Sequence, residues 1–153
     1  MQNQPKAKGR SMRRMADILG LVMMAVLLGA SGCSTLHQSD SARLQGTWKG
    51  DEIGANTKGE CCLVISGTHW EFRGGNTNEW YQGVFSLQED VNPKQVVLSI
   101  SECSASKYIG QTSYGLYWLD NGTVTLAVNE PGSSEAPSSF ETPGTRHFVL
   151  KRQ

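Results

Sequence analysis

The side chains of this chain best suited to covalent or coordination chemistry are four cysteines, Cys33, Cys61, Cys62 and Cys103, and three histidines, His37, His69 and His147. A structural zinc site needs thiols and imidazoles at short, fixed spacings, and no Cys-x-x-Cys pair occurs. Nucleophilic catalysis needs a base beside the attacking group and a third residue to orient that base. No Ser-His-Asp spacing, paired catalytic carboxylates or phosphate-cradling glycine loop is visible. His69 and His147 read as isolated surface strand residues, and Glu71 and Glu79 as solvent-facing. No metal, no cofactor and no catalytic set is therefore expected, and the chain reads as a non-enzyme. What remains is binding chemistry. Trp70, Phe72, Tyr81, Phe85 and Tyr117 offer aromatic surface for an apolar ligand, and Trp48 with Arg152 offers a cation–π pair.

These residues must be positioned by a chain of 153 residues, enough for one hydrophobic core but not for two. Its formal charge of zero hides an asymmetry. Lys6, Lys8, Arg10, Arg13 and Arg14 stand against Asp17 in residues 1–32, a net +4, which leaves the rest at −4. A mildly acidic body has no electrostatic grip on phosphate backbones, so nucleic acid is excluded as a partner. The run Ile18–Leu28 holds only apolar residues and glycine. It is shorter than the ~20 residues a spanning helix needs, and its basic flank reads as a secretory signal, with a permanent anchor helix as the alternative.

That run leads through Ala30-Ser31-Gly32 into Cys33, which resembles the lipobox of bacterial lipoproteins. The resemblance implies cleavage before Cys33, acylation of its thiol, and attachment to the membrane through N-terminal acyl chains. Palmitate would be among them. Ser34 rather than Asp after the Cys implies, by the same resemblance, the outer membrane of a bacterial cell envelope. Residues 1–32 are thus expected to be signal peptide, 33–43 a lipidated tether, and 44–153 the folded domain.

From Leu44 onward no segment keeps a helical period. Eight short runs rich in Val, Ile, Thr and aromatics appear instead, near 44–52, 60–66, 69–73, 79–88, 95–102, 113–119, 123–129 and 146–152. Ser66-Gly67-Thr68 and Asp120-Asn121-Gly122 carry tight hairpin chemistry. Alternation gives each run one apolar face: Leu63 with Ile65, Trp70 with Phe72, Tyr81 with Phe85 and Leu87, Val96 with Leu98 and Ile100, Val124 with Leu126 and Val128, and Phe148 with Leu150. The pattern predicts an all-β domain, a small eight-stranded antiparallel up-and-down barrel; a two-sheet sandwich is the competing arrangement.

Leu44-Gln45-Gly46-Thr47-Trp48 is similar to the Gly-x-Trp opening of lipocalins, and more closely to the short lipocalin-like domain of planctomycete proteins. Gly83-Val84-Phe85-Ser86-Leu87, Asn92-Pro93-Lys94, Gly115-Leu116-Tyr117-Trp118-Leu119, Pro131-Gly132 and Phe148-Val149-Leu150-Lys151-Arg152 continue the resemblance over about 44–152. It implies a small lipocalin-like barrel.

If the strands alternate up and down, residues 53–59, 74–78, 103–112 and 130–145 fall at one end and 67–68, 89–94 and 120–122 at the other. The first set is mostly long and the second mostly tight, so one end is ringed by loops and the other is shut. A ligand would enter at the loops. Trp48 and Arg152 fall at the shut end, and Arg152 shares the inward parity of Phe148 and Leu150, so the two are expected to stack as a plug. An exported domain with Cys61, Cys62 and Cys103 is expected to form one disulfide. Parity favours Cys62–Cys103, both facing outward, over a strained vicinal Cys61–Cys62 bridge. The leading expectation is a membrane-anchored module holding a small apolar or amphipathic molecule. The alternatives are a barrel filled by its own side chains, and an interaction or inhibitor module presenting its loops, 130–144 above all, to an envelope protein.

Overall fold

In the computed structural model, which describes residues 38–54, 59–75 and 78–153, eight antiparallel strands close on themselves. They are β1 (Gly46–Ile53), β2 (Cys61–Ser66), β3 (His69–Arg73), β4 (Trp80–Gln88), β5 (Gln95–Cys103), β6 (Thr112–Asp120), β7 (Thr123–Val128) and β8 (Arg146–Arg152). Each strand pairs with its neighbour in sequence, and β8 returns to β1 with Trp48 opposite Arg152 and Gly50 opposite Leu150. Closure leaves no unpaired edge, so the sandwich is excluded. Residues 1–32, expected to be a signal peptide, and Cys33 lie outside the described residues.

The alternation read from the sequence is the alternation of the barrel wall. Leu63, Ile65, Trp70, Phe72, Phe85, Val96, Ile100, Tyr117, Val124, Val128, Phe148 and Leu150 form one buried cluster, with Tyr81, Leu87, Leu98 and Leu126 packed against it. The hairpins segregate as expected. Gly67 and the Asn121-Gly122 pair take positive φ, the conformation two-residue hairpin loops require.

Two local features depart from a plain up-and-down reading. The first is a bulge between β4 and β5: Gln82 faces Glu102 but Gly83 faces Ile100, so Ser101 is an extra residue. A Cβ on Gly83 would lie 1.8 Å from the Ser99 carbonyl oxygen, so only glycine lets the strands approach here. The extra residue reverses the face of everything after it. Cys103 therefore stands opposite Tyr81 and is buried inside the wall, not outside.

The second is a one-turn helix, α1 (Asp40–Arg43), in the segment expected to be tether. Ser39 caps it through Ala42 N–H, with Asp40 in the first turn and Arg43 in the last, as the helix dipole prefers. Asp40 is only 3% exposed, and Leu44 after it is buried. Both residues thus pack within the compact unit Gln38–Gln153. On the outer face, Leu116 of β6 and Ala127 of β7 pair across the wall and are fully buried. The long connection 129–145 carries a buried residue of its own, Pro137.

Candidate functional site

The shut end is built by β1, β8 and α1 together. Arg152 lies with its guanidinium 4.3 Å from the centroid of the Trp48 ring. It also donates to the carbonyls of Gln45 and Arg43, which ties the last strand to the chain just before the first. The Trp48 indole N–H donates to the Leu44 carbonyl at 2.8 Å, so the fully buried ring leaves no polar group unmet. Beside this plug, the Asp40 carboxylate accepts from Lys94 Nζ, from Arg43 at 2.9 Å and from the Tyr117 hydroxyl at 3.0 Å. Burial by itself would raise the Asp40 pKa, but the hydrogen bonds from Lys94 and Tyr117 outweigh it and hold the carboxyl below its ordinary value. Burial, then the bond to Asp40, pushes the Tyr117 hydroxyl pKa well above the usual tyrosine range.

Above this floor lies a cavity of about 100 Å³. All five aromatics singled out in the sequence, Trp70, Phe72, Tyr81, Phe85 and Tyr117, line it. Tyr117, from the lower half of β6, forms its floor instead of its mouth. Leucine, isoleucine and valine side chains from β2, β4, β5 and β7 complete the wall. Among the described residues no buried side-chain nitrogen or oxygen lacks a hydrogen-bond partner. Trp70 is satisfied by the Val84 carbonyl and Ser113 by that of Asn129. Below Arg146 the described interior therefore offers shape and apolar contact, with every buried side-chain polar atom already paired.

The loop end carries a charged cluster that the sequence reading missed. Arg146, the first residue of β8, lines the top of the cavity with its guanidinium 5.1 Å from the Phe148 ring centroid and 5.9 Å from that of Phe72. Its Nε and one terminal nitrogen each donate to Glu52 at 2.7 Å, and its terminal nitrogens also reach Glu79. Burial by itself would lower the Arg146 pKa; the bonds to Glu52 and Glu79 prevail and bind its proton more tightly. Glu79 is thus not solvent-facing but turned inward. Parity held the signal: Glu52 shares the face of Trp48, Glu79 that of Tyr81, and Arg146 that of Phe148. Below Glu79, burial and then its negative charge push the Tyr81 hydroxyl up to about 12. At the rim, Lys107 stacks 4.3 Å from the Tyr108 ring, and the Tyr108 hydroxyl donates to Glu130.

The expected Cys62–Cys103 disulfide is not formed. Cys62 stands on the outward face of β2, whereas the bulge turns Cys103 inward, so the two point to opposite sides of the wall. All three described cysteines are free. Burial pushes the Cys61 thiol up, against a hydrogen bond from the Gly75 backbone that favours the thiolate. Among the described residues no three His, Cys, Asp or Glu side chains are arranged to hold a metal ion. His69 is exposed beside a turn, and His147 pairs with Thr145. No family model, no curated protein and no solved structure matches this chain.

Proposed function

We propose that this protein is a membrane-anchored envelope lipoprotein of lipocalin-like type whose barrel holds a small apolar or amphipathic molecule. The observation that carries the binding reading is the cavity: about 100 Å³, walled by apolar side chains and topped at its loop end by Arg146. An engineered apolar cavity of about 150 Å³ in another protein takes up benzene, whereas drug-sized sites run from about 300 Å³ upward. The ligand is accordingly of single-ring size, or the tip of a longer chain. The anchor rests on the lipobox resemblance at Cys33, which would place the barrel on the outer membrane.

A titration with toluene, followed by NMR of the isoleucine, leucine and valine methyls, tests the binding reading. Shifts confined to the lining, with Ile65, Val96, Leu98 and Leu126 largest, are expected. Leu126→Phe, which fills the space, should weaken them by about tenfold, corresponding to loss of a well-packed site. Unchanged lining methyls at saturating toluene would refute ligand binding. They would favour the second reading, an interaction module, for which the 61% exposure of Trp118 on the outer face of β6 is the supporting feature.

A further inference from the structure

The mouth cluster bears on which head group a ligand can carry, an inference that rests on the binding reading above. Arg146 is the inward-facing cation at the top of the cavity, and a lone arginine there would select a carboxylate. It is not alone. Glu52 engages Nε and Nη2, and Glu79 engages Nη1 and Nη2, so the fork that would grip an anion is already filled from two sides. Two carboxylates against one guanidinium leave the cluster with an excess of one negative charge. Glu52 and Glu79 side chains are 12% and 23% exposed, so this charge lies in a partly dry site where water screens it poorly. The rim pair of Lys107 and Glu130 is neutral in sum and does not offset it. Just below, the ring of Tyr81 stands between Phe72 and Tyr108, with centroids 6.5 and 6.4 Å away, a wall of aromatic surface against which a cation is stabilised.

We propose that the cavity selects small molecules with an apolar body and a protonated amine head, and discriminates against carboxylates of the same shape. The body fills the space beneath Arg146, and the ammonium group reaches past the cavity wall to Glu79, which stands behind Arg146 at the mouth and is the more accessible of the two acids. An incoming carboxylate would have to displace one glutamate from Arg146, leaving that acid unpaired at the mouth, or remain there itself without a donor.

Three matched probes decide this: benzylamine, benzyl alcohol and benzoate, titrated at neutral pH and low salt with tryptophan fluorescence and methyl NMR as readouts. The amine is expected to bind about tenfold tighter than the alcohol, and benzoate the weakest of the three. Glu79→Gln should bring the amine to within about twofold of the alcohol, both measured on that variant. Should that variant fail to fold, the parent protein supplies the check: the amine's advantage must shrink as salt rises from about 0.02 M to about 0.5 M. Benzoate binding as tightly as the alcohol, or an amine with no advantage over it, overturns the selectivity while leaving ligand binding intact. Binding by none of the three overturns both.

Discussion

Arg152 has two kinds of partner at once, the face of Trp48 and two backbone carbonyls that precede β1. A cation–π contact at a partly exposed site contributes about 0.5–1 kcal/mol, and each hydrogen bond to a charged donor somewhat more, reduced here by exposure. Arg152→Ala should therefore lower stability by about 1–3 kcal/mol in urea unfolding, with toluene affinity unchanged because the plug lies below the cavity floor. An unaltered midpoint would mean that the residue frays in solution. Its inward parity with Phe148 and Leu150 made this role readable in advance. The same parity was available for Glu52, Glu79 and Arg146, but charged side chains are ordinarily assigned to solvent. Mutual pairing removes that penalty, and pairing across elements distant in sequence is not visible until the strands are in register.

Among elements, α1 shows how a segment that looks like a linker becomes part of the fold. Its four residues could not stay helical alone. They are held because Asp40 is clamped by Lys94, Arg43 and Tyr117, while the Asp40 backbone N–H donates to Glu89. Because the folded Asp40 pKa lies below the ordinary 3.8, its contribution is complete above that value and is lost as pH falls through the lower, folded one. Asp40→Asn should cost about 1–3 kcal/mol near neutrality, measured by thermal or urea unfolding. The gap to the parent should close as the pH drops below about 4, the sign expected of a depressed carboxyl. A gap that widened in acid would contradict the clamp. The bulge at Gly83 belongs to this scale as well. One extra residue, Ser101, was enough to invert the face of Cys103 and undo the expected disulfide, because side-chain direction has a period of two and carries no memory across an insertion.

At the scale of the whole molecule, the barrel was legible because each strand alternates cleanly and each tight corner names itself in Gly67 or Asn121-Gly122. The separation of tight connections from long ones followed from strand order alone, and it places the cavity's top under the loops. The volume of the interior was not legible. The same inward aromatics would be required by a barrel packed solid, and whether they meet at the axis depends on side-chain packing that no spacing rule reports. Ligand binding requires the roughly 100 Å³ between floor and mouth cluster to admit a guest. Diffraction from crystals pressurised with xenon asks this directly, since xenon enters apolar voids and needs no polar partner. The account predicts a bound xenon among Phe85, Leu98 and Leu126. An interior free of xenon density under pressures that fill an engineered apolar cavity in a control protein would contradict it.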